Sequence, residues 1–252
     1  RSFQAQAFGT LRFRLPRGLP HPLVKKEDER FQLAANYCHQ VLPYITDQPG
    51  RTLVLCASYA DVAALEAAWP REHAHRLVAH HPGSGLSDMV ASLTNEAILL
   101  TPAGWEGLSP SREGNQAYWQ HVVVLRNPRP MVSQVEQYLV EQMLINRQVT
   151  AADATHIAKG ALMRKSTVRT LHKLRQGLGR AIRHPDDDVL ITLLEPRIPR
   201  PSGTAACQGV HTQQVLLGAI PARFYAAYQQ AEEPGGQQTV KPLNAPALTA
   251  LL

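Results

Sequence analysis

The chain has 252 residues, 44% of them hydrophobic and 18% charged, with a net charge of +6. That is enough apolar material for a sizeable core, and the basic balance suits a polyanionic partner. No apolar run approaches the roughly 20 residues of a membrane span. Cys38, Cys56 and Cys207 show no CxxC spacing, which argues against a disulfide framework or a zinc site and for a reducing, cytoplasmic setting. Residues 1–26 are basic and proline-rich and read as a leading linker. The chain opens on Arg1-Ser2-Phe3 without an initiator Met, as a piece of a longer protein would. From Glu27 to Ile45 an apolar stripe (Phe31, Ala34, Ala35, Cys38, Val41, Leu42, Ile45) recurs at helical spacing. Thr52–Cys56 is a short continuous apolar run, as expected of a strand buried on both faces. Helices are predicted over Asp61–Trp69 and Leu86–Leu93, and strands over Arg76–Ala79, Ala97–Thr101 and Val122–Leu125. Further helices follow over Val132–Asn146 and Ala161–Ile182, then a last strand over Val189–Leu194. This alternation predicts an α/β fold with a mainly parallel sheet flanked by helices over residues 27–200. Residues 201–252 read as a poorly ordered C-terminal appendage, loosely attached over 203–230 with one helix at Ile220–Gln230, and then a flexible tail.

Charge is unevenly spread. His156 to Pro185 contains no acidic residue, and Arg164, Lys165, Arg169, Lys173, Arg175, Arg180 and Arg183 fall within or close to one predicted helix. Solvated helix faces usually interleave Glu with Lys, because like charges a turn apart repel. A one-signed run therefore points to an external anion such as phosphate, with a plain solvated face as the alternative.

Ligands of open parallel sheets bind beyond the carboxyl ends of the strands. The loops there hold Ala57-Ser58-Tyr59, Thr101–Gly107 and Arg126–Pro130. On a continuous helix Gln176, Gly179, Arg180 and Arg183 would share one face, and two guanidiniums one turn apart would suit a polyphosphate. Gly177 and Gly179 are costly inside a helix and require a reason, either a close approach or a helix terminus.

The stretch Gln176–Arg183, Q-G-L-G-R-A-I-R, resembles motif VI of superfamily 2 helicases in the form of the DinG and XPD branch. Arg51–Leu65 resembles the branch's motif IV, Ala97–Leu108 its motif V with Trp-Glu-Gly after a strand, and Asp188–Arg197 the strand after motif VI. The resemblance implies a second RecA-like domain. Arg180 and Arg183 would be arginine fingers for the γ-phosphate of ATP, and Gln176 would orient the site. Gly179, Glu106 and Gly107 would border the nucleotide. Ser58, Tyr59, Thr101 and Trp105, with Arg164, Lys165, Arg169 and Lys173, would line single-stranded DNA, where an aromatic ring can stack a base. For Trp105 the alternative is core packing.

No G-x-x-x-x-G-K-[ST] occurs, and no carboxylate pair of the kind that holds Mg2+. ATP and Mg2+ would therefore be bound mainly by an N-terminal RecA-like lobe outside this sequence. The implied partners are that lobe, single-stranded or forked DNA, and no membrane or resident metal. Three positions depart from the family pattern: Leu108-Ser109-Pro110 after Trp-Glu-Gly, Arg126-Asn127-Pro128-Arg129 where Leu-Pro-Phe is usual, and Glu195 where Asp is usual. Such divergence is similar to that of the DinG-like helicases of type IV CRISPR systems, which would add a ribonucleoprotein partner. Two other functions compete with the motor. One is a helicase-derived module that only binds nucleic acid or a ribonucleoprotein. The other is a nucleotide-sugar or dinucleotide enzyme, against which the absence of G-x-G-x-x-G counts.

Overall fold

The structure, a computed structural model, describes residues 9–26, 31–106, 108, 117–130, 132–182, 184, 186–203 and 211–234. Six strands form one sheet: β1 (Thr10–Arg14), β4 (Thr52–Leu55), β5 (Leu77–Ala79), β6 (Ile98–Thr101), β7 (His121–Val124) and β8 (Asp188–Leu193). Their order across the sheet is β1-β8-β7-β4-β6-β5, and every neighbouring pair is parallel. A separate antiparallel pair joins β2 (Leu23–Lys25) to β3 (Phe31–Leu33). All four residues of β4, β6 and β7 are buried, because helices cover both faces and leave no solvent side for polar residues to take. Alternation along the strands feeds two cores. Leu53, Leu55, Leu99, Val122 and Val124 point into one, and Val54, Cys56, Ile98, Leu100 and Val123 into the other. This is the α/β architecture expected from the strand runs, and it agrees with the RecA-like domain that the motif resemblance implies.

The second core is closed by α1 (Ala35–Thr46) and α2 (Tyr59–Ala67). The first is closed by α3 (Leu86–Ala91), by the end of α5 (Ala151–Leu178), and by the C-terminal segment. Between β7 and α5 lies α4 (Gln134–Ile145), packed against α5 but with no residue fully buried. Val135, Tyr138, Leu139 and Met143 are more than half exposed and form one stripe on it.

Several expected boundaries move. The predicted helix from Glu27 does not hold over residues 31–33, which pair as β3, and α1 starts at Ala35; residues 27–30 lie outside the described residues. The helix predicted from Ala161 starts at Ala151, capped by the Thr150 side chain, and ends at Leu178 rather than Ile182. Its buried positions Ala154, Ala158, Leu162, Ser166, Thr170, Leu174 and Leu178 recur every fourth residue, so the buried stripe winds around the helix.

The leading linker is corrected too. Residues 10–14 are the edge strand β1, in register with β8. Leu11, Phe13 and Leu15 alternate with arginines, a period-two pattern that buries Phe13 and Leu15. At the other end, residues 211–234 are bound firmly rather than loosely. Short 3-10 turns at Gln214–Ala219 and Ala222–Phe224 lead into α6 (Tyr225–Gln229), burying Leu216, Ile220, Phe224 and Tyr228 in the first core. The backbone then joins the sheet edge: Glu232 N–H donates to Phe13 O at 2.9 Å, Leu15 N–H to Glu232 O at 2.8 Å and Arg17 N–H to Pro234 O at 2.9 Å. The tail from 235 onward lies outside the described residues. No helix among those described is long and apolar enough to cross a membrane.

Candidate nucleotide and nucleic-acid site at the carboxyl edge of the sheet

The turn after β4 is built around one carboxylate. Ser58 caps α2, its hydroxyl accepting from Asp61 N–H at 3.3 Å and donating to Asp61 Oδ1 at 3.0 Å. The other oxygen, Oδ2, accepts from Ala57 N–H at 2.9 Å. Asp61 is buried, and its charge is matched by Arg126, whose Nη2 lies 2.9 Å from Oδ1. Arg126 reaches over from the loop after β7. Its neighbour Asn127 donates its backbone N–H to Glu195 Oε2 at 2.8 Å. Glu195 follows β8, is itself buried, and holds Arg197 through Nε at 2.7 Å and Nη2 at 2.8 Å. Burial disfavours the charge on Arg197, yet the bonds to Glu195 raise its pKa overall. Three neighbouring loops are thus cross-tied, those after β4 and β7 by the Asp61–Arg126 ion pair and those after β7 and β8 by the Asn127 N–H on the buried Glu195 carboxylate. Burial, then Asp61, pushes the Cys56 thiol well above its ordinary range, so it is no nucleophile.

The end of α5 meets the same edge. A Cβ on Gly177 would lie 2.7 Å from Leu55 Cδ1 and 2.7 Å from Trp105 Cε3, so only glycine lets the helix settle there. Trp105, from the loop after β6, is 2% exposed and donates its indole N–H to Cys56 O at 2.6 Å. The helix closes at Gly179 with ordinary right-handed geometry. Arg180 leaves on a turn, and its guanidinium donates to Leu108 O at 2.8 Å and reaches Trp105 O at 3.5 Å.

The sequence profile of the helicase C-terminal domain matches residues 41–209, well over half of the chain. The chain belongs to this helicase family. The membership agrees with the resemblance to the DinG and XPD branch drawn from the motifs. No curated protein matches the chain. Among solved structures it is similar to an XPD helicase (TM-score 0.48, 18% identity, covering 75% of this chain and 32% of that one). It is also similar to XPD in an apo form (TM-score 0.49, 16% identity, 82% and 41%). A third is Xpd4 of S. tokodaii (TM-score 0.44, 15% identity, 73% and 34%). The chain spans 32% to 41% of the length of these solved structures.

Within this helicase domain, the structure separates the residues singled out by sequence. Gln176 is exposed on the last turn of α5, but the helix stops before Arg180, so the expected four-residue face is not continuous. The glycine that packing demands is Gly177. A Cβ on Gly179 would meet only the helix's own carbonyls, at 3.2 Å and beyond. Arg183 and Gly107 lie outside the described residues. Glu106 is exposed, 4.0 Å from Lys173 Nζ. Tyr59 is 39% exposed at the start of α2, edge-on to His80. Two expected nucleic-acid residues turn inward. Thr101 is fully buried, with its hydroxyl 2.8 Å from His80 Nδ1 and accepting from Ala103 N–H at 3.1 Å. Trp105 is core and has no open face for a base.

The basic helix splits by its periodicity. Lys165, Arg169 and Lys173 share a flank with Gln176, whereas Arg164 and Arg175 lie on the opposite one, where Arg175 holds Gly218 O at 2.8 Å. Acids from elsewhere temper the first flank. Lys165 pairs with Glu136 of α4, and that hydrogen bond holds the Glu136 carboxyl below its usual range. Sequence reading passed over Asp61, and it noted Arg126 only for its loop and as a departure from the family pattern, without a partner for either. The first was legible as the fourth residue of a Ser-x-x-Asp capping pattern. The second was legible as a cation ending an all-apolar strand, which needs a buried partner.

Proposed function

We propose that this chain is the C-terminal motor lobe of an ATP-dependent DNA helicase. It supplies Arg180 and Arg183 to ATP held chiefly by an N-terminal RecA-like lobe, and it forms part of the track for single-stranded DNA. The observation that carries the reading is the seating of Arg180 and the end of α5 against the loop after β6, at the carboxyl edge where such sheets take ligands. The residues present fit half of a nucleotide site. They offer cationic donors in Lys173 and Arg180 and a neutral amide in Gln176, with Glu106 as the neighbouring acid. As the missing Walker A and carboxylate motifs imply, Mg2+ would come with ATP and the other lobe. Bound there, ATP supplies the phosphoryl group whose transfer drives movement. This chain's part is to place guanidiniums against the charge that develops.

On the DNA side, Tyr59 offers the exposed ring, and the Lys165–Arg169–Lys173 flank offers phosphate contacts. The Ser58 hydroxyl gives its proton to Asp61, so toward DNA it acts as an acceptor. The departures at Arg126–Arg129 and Glu195 support a divergent DinG-like member working beside a CRISPR ribonucleoprotein. In the intact protein, Arg183→Ala should lower ATP turnover by a factor on the order of a thousand while ATP affinity changes little. Steady-state hydrolysis together with equilibrium binding of AMP-PNP measures both. Unchanged turnover would remove the finger assignment, whereas a wild-type protein without ATP turnover would leave a nucleic-acid-binding module.

A further inference from the structure

One helix of the fold is left without a core of its own. No residue of α4 (Gln134–Ile145) is fully buried, and its exposed residues are Gln134, Val135, Tyr138, Leu139, Met143 and Ile145, none of them charged. Its two acids are engaged elsewhere: Glu136 with Lys165 of α5, and Glu141 with the Gln137 amide at 2.8 Å. Solvated helix faces carry charges, whereas faces covered by another protein segment lose them and keep aromatic residues and Met. The face holds no cation for a phosphate, so it is no part of a nucleic-acid track. It exposes on the order of 400 Å2 of apolar surface, against the roughly 800 Å2 per partner that a stable free complex buries. A tethered segment needs less, because it meets the face at an effective concentration on the order of millimolar.

Such a segment follows Pro234. Residues 235–252, outside the described residues, carry one charge, Lys241, and place Leu248, Leu251 and Leu252 at i, i+3 and i+4, the spacing with which amphipathic helices fill apolar grooves. Pro234 O accepts from Arg17 N–H, so the segment leaves from the carboxyl edge, beyond β1. The α4 helix rises from the same edge, after β7, and only β8 lies between β1 and β7. Two strand spacings are about 10 Å, and the stretch from Val124 to Gln134 adds at most about 35 Å. The stretch from Pro234 to Leu248 spans up to about 50 Å, so the leucines are within reach of the stripe. We propose that the stripe on α4 is the docking groove of the chain's own segment 243–252, with Leu248, Leu251 and Leu252 against Val135, Tyr138, Leu139 and Met143. The contact gives α4 the burial that α5 alone does not, and it straps the α4–α5 hairpin to the β1 edge of the sheet through the pairing of residues 232–234. It does not depend on the motor reading.

Hydrogen exchange in the intact protein, read by mass spectrometry, tests this, because a helix without buried residues exchanges quickly unless something covers it. Leu248→Asp, Leu251→Asp and Leu252→Asp together should speed exchange across α4 by about tenfold or more and leave α2 (Tyr59–Ala67) as in wild type. Conversely, Tyr138→Ala with Leu139→Ala should speed exchange in residues 243–252 by a similar factor. If that α4 variant does not fold, the leucine variant decides, since it alters no residue of the described fold. Wild-type exchange should be the same over roughly a hundredfold dilution, as an intramolecular contact requires. Protection of α4 that fades on dilution would assign the stripe to a second copy and overturn the proposal. Protection that survives the three aspartates would assign it to another part of the protein, and rapid exchange of α4 already in wild type would leave it uncovered. Either result overturns the proposal too.

Discussion

Both edges of the sheet bury arginines, but they neutralise them differently. At the amino edge, Arg76 gives hydrogen bonds to the carbonyls of Glu96 at 2.8 Å, Thr46 at 2.8 Å and Gln48 at 2.7 Å. Arg51 likewise reaches Thr94 O at 3.1 Å and Leu93 O at 3.3 Å. Thr46 ends α1, where the helix dipole is negative, so the cation sits among oriented neutral groups. At the carboxyl edge, Arg126 and Arg197 face the buried carboxylates Asp61 and Glu195. The Asp61–Arg126 pair joins separate loops through opposite charges, and the Glu195–Arg197 pair closes on its own loop. The amino edge is thus tied by neutral groups and the carboxyl edge by opposite charges. Arg180, held by the carbonyls of Leu108 and Trp105, is a carbonyl-type arginine placed at the carboxyl edge.

Breaking one tie at each edge tests this contrast. The largest effect is expected from Arg126→Ala, which leaves Asp61 buried and uncompensated, at a cost of about 4 kcal/mol. Urea unfolding of the domain measures it. Adding Asp61→Asn should recover part of the loss, and an additive double variant would show that the two side chains are not coupled. Arg76→Met should cost less, about 2 kcal/mol, because it strands only neutral carbonyls near solvent. A loss as large as that of Arg126→Ala would erase the distinction between the edges.

The smallest effect, taken per pH unit, is a pH dependence carried by His121 at the amino edge. Burial first, then Arg14 and Arg76, pushes its pKa down from 6.5 to about 3. On acidification the unfolded chain takes up this proton before the folded one. The neutral imidazole therefore contributes its stability in full above pH 6.5 and loses it as pH falls toward 3, by at most about 1.4 kcal/mol per pH unit. Urea midpoints across that window should fall less steeply for His121→Gln than for wild type. Parallel slopes would place the acid sensitivity in other groups.

Much of the fold was legible because a strand buried on both faces has little choice of residues: Thr52–Leu55, Ile98–Thr101 and His121–Val124 are nearly continuous Val, Ile and Leu. The first turns of α5 were missed because close packing against α4 selects Ala154 and Ala158, which leave no large apolar period to read. β1 was hidden by its arginines and by the prolines that follow. At the site, the end of α5 and its neighbouring loops were found from motif spacing. Spacing alone could not tell Gly177 from Gly179, or show that Trp105 faces inward. Those depend on which atoms another part of the chain brings within 3 Å. The Asp61–Arg126 tie joins residues 65 positions apart and belongs to tertiary structure alone.

The pairing of residues 232–234 with the segment that begins in β1 has a consequence for the behaviour of the chain in concentrated solution. A parallel sheet with a bare border is a template on which other chains can add strands, the first step toward fibres. Part of that border, at Phe13, Leu15 and Arg17, is already occupied by the chain's own backbone, with Glu233 latched to Arg17 at 3.0 Å and to Ser202. A stretch whose composition suggests a dispensable tail thus acts as a guard rail, keeping the sheet at its proper width.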